Sequence, residues 1–232
     1  MKNDSLARRY ARRLGQLLLG QAISAVGVTM ILNANVGPEP WSVLQQGMSV
    51  SMGVTYGTAA MIVGAAVLLI AVLFGESFGI GTLANIFLCP ALIDALLASG
   101  WIPEMHSLWS GLLLLLAGIE ILALGTCYYM TSTLGSGPRD ALMVVLARKT
   151  RRSVGFCRVA VEILAVLIGW RLGGQVGVGT LLGAFGVGLL INLNFSWLGF
   201  RAQDAHQENL PETIRIIRNR HQASTEGGKK EP

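Results

Sequence analysis

Arg158 and Glu162 stand four residues apart in an otherwise apolar run. On a helix they share a face and can pair. Glu120 lies about ten residues into another apolar run, and Arg139 and Asp140 follow directly on Pro138. Charges at membrane depth cost several kcal/mol unless they are paired or hydrated, so each marks a candidate site. A guanidinium grips a carboxylate or phosphate bidentately. Arg139 and Arg158 could thus hold an anionic group, with Asp140 beside them and Glu120 or Glu162 as proton carrier or counter-ion. Gln45 and Gln46 could donate to the same solute. The same residues also compose a closed network, Arg158–Glu162 with Arg139–Glu120 or Arg139–Asp140, that merely holds helices together. Asp94 and Asn192 are further polar residues late in apolar runs. Cys89, Cys127 and Cys157 are dispersed, and His106, His206 and His221 fall outside the apolar runs. No metal-ligand spacing, nucleophile–base pair or cofactor motif is present, so the expectation is no metal, no cofactor and no enzymatic activity.

The elements that must position these residues are membrane spans. Of the 232 residues, 52% are apolar and 13% charged. A soluble domain carries about 25% charged residues. Disorder needs the opposite composition. Six runs approach the ~20 residues that cross a bilayer: 14–34, 57–75, 81–99, 110–131, 154–171 and 179–200. The basic residues cluster before the first run (Lys2, Arg8, Arg9, Arg12, Arg13), between the fourth and fifth (Arg148, Lys149, Arg151, Arg152), and after the last (Arg201 onward). Basic loops stay in the cytoplasm. This places both termini inside a bacterial inner membrane and makes nucleic acid an unneeded partner. Trp101, Trp109, Trp170 and Trp197 fall at predicted span ends, where indole rings favour the headgroup level. The layout is a basic N-terminus (1–13), three spans (14–99), three more (110–200), and a polar tail (201–232) in which 209–222 could lie on the inner leaflet as a helix.

The chain repeats itself at an offset of 98 residues. Gly20/Gly118, Gly27/Gly125, Gly37/Gly135, Gly57/Gly155, Gly75/Gly173, Gly79/Gly177 and Gly81/Gly179 coincide without a gap, as do Pro40/Pro138 and Thr82/Thr180. Three spans per copy is an odd number, so the second copy enters the membrane from the opposite side. Inverted repeats of this kind are the plan of many secondary transporters. Each copy also has a broken segment after its first span: Gly37, Pro38 and Pro40 in one, Gly135, Gly137 and Pro138 in the other. Glycine permits the turn, and proline suits the first helical position. A helix too short to cross should start at Pro40 and at Pro138. The charges are nearly all in the second copy; Ala22, Ala60, Gly64, Trp41 and Ser42 stand at the matching first-copy positions.

The runs G-S-G-P-R-D-A-L-M (135–143), R-V-A-V-E (158–162) and L-G-G-Q-V-G-V-G-T (172–180), with G-P-E-P-W (37–41) and G-I-G-T-L-A-N (79–85), resemble the YczE-like branch of the YczE/YyaS/YitT family of bacterial membrane proteins. The likeness covers roughly residues 12–200. Ser42 stands where family members often carry an acid. The resemblance implies a multi-pass fold and a membrane location, and no substrate. The expectation is an all-α membrane protein of six spans in two inverted repeats, acting on a small anionic or zwitterionic solute with a coupling ion. The alternative is a scaffold or regulatory subunit whose buried ions are structural. The oligomeric state is not legible.

Overall fold

The computed structural model describes residues 2–135, 137–199, 207–212 and 215, with backbone alone at 2–7 and Asp140. These residues form the helices α1 Lys2–Asn33, α2 Pro40–Met52, α3 Tyr56–Leu73, α4 Ile80–Ser99, α5 Leu108–Met130, α6 Pro138–Thr150, α7 Val154–Arg171 and α8 Val178–Trp197. The basic N-terminal segment is thus the first turns of α1.

α2 and α6 are the expected short helices, each of 13 residues with proline at its first position. A residue before proline is driven out of the helical region. Glu39 (φ −64°, ψ 161°) and Gly137 (φ −65°, ψ 152°) are accordingly extended and serve as N-caps. At ~1.5 Å per residue each helix spans about 20 Å, short of a ~30 Å hydrocarbon layer.

Among the described residues, five helices are long and apolar enough to cross a membrane: α3, α4, α5, α8 and Arg8–Asn33 of α1. α7 carries Arg158, Glu162 and Arg171, and counts as a sixth only when joined to α6 across a bend of 113°. The outer surface is apolar: Leu113 is 71% exposed, Leu73 75% and Phe185 78%. Water would not tolerate so broad an apolar surface, whereas a bilayer favours it. The chain is a multi-pass helical membrane protein.

α1 and α5 cross at the centre through facing glycines. A Cβ on Gly27 would lie 2.5 Å from the Leu122 nitrogen, and one on Gly125 2.5 Å from that of Ser24. Around this crossing, α1 packs on α4 and α5 on α8; α2 packs on α7 and α6 on α3. Exchanging the two halves maps this scheme onto itself. Single hydrogen bonds follow it too: Gly81 N–H donates to the Leu134 carbonyl and Gly179 N–H to that of Val36, each at 2.8 Å. Left-handed residues also come in pairs 98 apart, Asn35 (φ 53°) with Thr133 (φ 55°), and Gly37 (φ 95°) with Gly135 (φ 126°). One helix pair departs from the scheme. α3 packs along α4, while α7 and α8 lack the matching contact.

Segments beyond each half seal its ends. Met105 N–H bonds the Asn33 carbonyl at 2.8 Å. At the other end, Glu208 N–H bonds the Thr133 carbonyl at 2.9 Å and Leu210 N–H that of Phe78 at 2.8 Å. Arg13, expected only to mark topology, is instead buried. It donates to the carbonyls of Ser132 (2.7 Å) and Thr133 (2.9 Å) and pairs with Glu208. The tail therefore packs on the bundle at 207–212. The proposed inner-leaflet helix over 209–222 falls mostly outside the described residues.

Candidate functional site: a charged cavity where the short helices begin

The starts of α2 and α6 face one another across a cavity of about 400 Å³. Pro40 and Pro138 both line it, with Glu39, Trp41, Ser42 and Gln45 from the α2 side and Gly137, Arg139 and Met143 from the α6 side. Tyr56, Val63 and Val67 of α3 and Cys89 and Pro90 of α4 form one wall. Arg158 and Glu162 of α7 and Gly188 and Asn192 of α8 form the opposite wall. On that side α7 and α8 lack the close helix contact that joins α3 to α4, the Arg158 guanidinium lies against Gly188, and the lining includes Val154, Asn192 and Phe195. The size and mixed lining fit a site for a small organic molecule.

The two walls differ in one latch. On the first, Asp94 accepts from the Gly57 N–H (2.6 Å) and the Thr55 hydroxyl (2.5 Å), which closes the start of α3 onto α4. The matching residues on the second are Asn192, Gly155 and Ser153. There a Cβ on Gly155 would meet nothing within 4 Å, and Asn192 is exposed.

Of the residues singled out from the sequence, Arg139, Arg158, Glu162 and Gln45 converge on the cavity. Arg158 Nε donates to Glu162 Oε1 at 2.9 Å, the anticipated pair. The Arg139 guanidinium lies over the Trp41 ring, 5.0 Å from its centroid. Among the described residues no carboxylate is within ion-pair distance of it, so Arg139–Glu120 is not a pair. Glu120 instead accepts from Asn194 Nδ2 at 3.1 Å and fastens α5 to α8 away from the cavity. Gln46 likewise leaves the site: its Oε1 accepts from the Gln175 N–H at 2.8 Å and anchors the α7–α8 turn. Both residues point outward from the cavity because they sit on the other face of their helices. Gly37 and Gly135 work at the sealed ends, where a Cβ would lie 2.4 Å from the Gly177 nitrogen and 2.8 Å from the Gly79 Cα respectively. The Asp140 side chain lies outside the described residues.

The first half contributes a buried polar cluster to the cavity lining. Glu39 is 5% exposed. Its Oε1 accepts from the Ser42 hydroxyl at 2.6 Å, and the Tyr56 hydroxyl lies 2.7 Å from both the Ser42 hydroxyl oxygen and Gln45 Oε1, so its one proton is shared between them. Glu39 Oε2 is buried without a hydrogen-bond partner in the described structure. The sequence did carry a signal for this residue: it is the single acid in the apolar G-P-E-P-W segment. The regularity of the Gly/Pro pattern drew attention to the backbone instead.

The fold and cavity define a polytopic helical membrane protein with charged groups held inside. Residues 11–195 match DUF6198, a family of unknown function, and the chain belongs to that family. An uncharacterized protein of Haemophilus influenzae is 32% identical over 187 residues, covering 81% of this chain and 85% of the relative. The uncharacterized membrane protein YczE of Bacillus subtilis is 28% identical over 75% of this chain and 81% of its own length. The uncharacterized protein YyaS of the same organism is 25% identical over 75% and 88%. These relatives bear out the resemblance to the YczE-like proteins. No solved structure matches the chain.

Proposed function

We propose that the protein is a secondary-transporter-like carrier of a small charged organic solute in a bacterial inner membrane, with no catalytic role. The two halves are copies of one unit inserted with opposite orientation, and both termini lie in the cytoplasm. The observation that carries this reading is the single broken equivalence in an otherwise exchangeable packing scheme. α3 is latched to α4 by Asp94, α7 stands off α8, and the charged cavity lies between. In a carrier built from inverted repeats, swapping the conformations of the two halves opens the site to the other face. The looser α7–α8 side starts next to the basic residues Arg151 and Arg152, which supports reading this conformer as facing the cytoplasmic side. Arg139 supplies the anion contact, with the Arg158–Glu162 pair beside it. Lipid is the solvent for the outer surface, and a coupling ion accompanies the solute.

The test is solute flux into proteoliposomes, with Gly155→Leu as the diagnostic variant. Gly155 is in open space here, so the leucine should leave the melting temperature within a few degrees of wild type. It should abolish flux by blocking closure of α7 onto α8. Absence of flux across organic anions and zwitterions, or full flux through Gly155→Leu, refutes the reading. One observation favours a structural role instead, the closed Arg158–Glu162 pair. It concerns that pair alone, since Arg139 and Glu39 remain without an ionic partner among the described residues.

A further inference from the structure

Arg139 and Glu39 are the two charges of the cavity that no opposite charge among the described residues neutralises. Arg158 is matched by Glu162 on its own helix. Arg139 has the Trp41 face, which attracts a cation without neutralising it. Glu39 has one hydrogen bond from Ser42, and its second carboxylate oxygen has none. A buried acceptor without a donor costs the desolvation of that group, and more when it is charged. Glu39 caps α2 two residues before Trp41, and Arg139 stacks on that same Trp41. The unmatched anion and the unmatched cation thus flank one turn of α2 within one cavity.

Resting on the transporter reading, we infer that the solute is a zwitterion: a carboxylate seated on Arg139, over the Trp41 ring, and an ammonium seated on Glu39. An inorganic or organic anion alone would satisfy Arg139 and be repelled by Glu39. An amine alone would do the reverse. A molecule carrying both charges meets each with its opposite and adds no net charge to an apolar enclosure. The buried Glu39 oxygen marks where the ammonium N–H groups arrive, after a small displacement of the Ser42–Tyr56–Gln45 chain that now covers the carboxylate. The cavity, about 400 Å³, accommodates solutes of amino-acid size.

The purified full-length protein in detergent is titrated with three matched sets, read by thermal-shift and calorimetry. The first set is the common α-amino acids, ω-amino acids of two to six carbons (the range is a design choice set by the cavity size) and glycine betaine. The second is the same carbon skeletons as monocarboxylates, and the third the same skeletons as primary amines. At least one zwitterion should bind tenfold or more tightly than its carboxylate and amine counterparts. In Glu39→Gln that preference should vanish through loss of the zwitterion, with the corresponding carboxylate bound as well as before or better. In Arg139→Gln, carboxylate and zwitterion should both be lost. A wild-type protein that binds carboxylates as tightly as zwitterions, or with proton uptake in place of the ammonium, overturns the zwitterion assignment and leaves the transporter reading standing. A wild-type protein that binds no member of any set overturns both. The wild-type comparison decides the matter even if either variant fails to fold.

Discussion

At the residue scale, the cavity contains two kinds of charge. Arg158 and Glu162 form a self-contained pair, with the arginine side chain 43% and the glutamate 14% exposed. Removing one partner leaves the other unmatched next to apolar helices. Glu162→Gln should lower stability by about 1–3 kcal/mol, seen as a fall in melting temperature in detergent. The exchange Arg158→Glu with Glu162→Arg should regain most of that loss, because the i, i+4 geometry survives the swap. A double exchange as unstable as the single variant would show that Arg158 is held by something other than Glu162. Glu39 and Arg139 behave differently: neither is paired to the other or to another charge among the described residues.

The elements meet through missing side chains. Where α1 crosses α5, Gly27 and Gly125 let backbones approach to distances that no Cβ tolerates. Close helix approach through small residues is a principal source of cohesion in a membrane, where lipid is as apolar as leucine. Gly27→Ala should therefore cost about 1–3 kcal/mol through overpacking. Gly15→Ala on the same helix, with nothing within 4 Å of its Cβ, should be neutral. Equal melting temperatures for the two variants would mean that the α1–α5 crossing is looser than described. α2 and α6 follow an analogous logic. Proline at the first helical position and an extended residue before it aim both short helices at the same cavity.

For the whole molecule, near-exchangeability of the halves is the central property. The proposed inversion of the two halves, each with three spans, requires residues 1–13 and 140–153 to lie on one side of the membrane. Cysteines introduced at positions 9 and 149, on a background with Cys89, Cys127 and Cys157 replaced by alanine, should react with an impermeant maleimide only from the cytoplasmic side. Labelling from opposite sides would dismantle both the inverted repeat and the carrier mechanism built on it. The exception to exchangeability matters as much as the rule. Asp94 and Asn192 occupy equivalent positions, yet the carboxylate holds its helix pair closed and the amide does not.

Membrane character, the short helices at Pro40 and Pro138, and the matching of features 98 residues apart were legible in the chain, because they follow from local quantities: apolar length, backbone-permissive residues, and a constant offset between them. That Arg139, Arg158, Glu162 and Gln45 would gather in the interior was legible for a similar reason, since a polar group in an apolar run must be accommodated somewhere; all four line the cavity. Which face each helix turns inward is a different matter. It depends on interhelical packing at a distance, and this sent Glu120 to Asn194, Gln46 to Gln175 and Arg13 to the 132–133 turn. It also brought Glu39, Ser42 and Tyr56 of the less charged half into the cavity. The open α7–α8 wall had no sequence signature at all, because two copies of nearly the same packing code can rest in different arrangements, and only the assembled bundle selects between them.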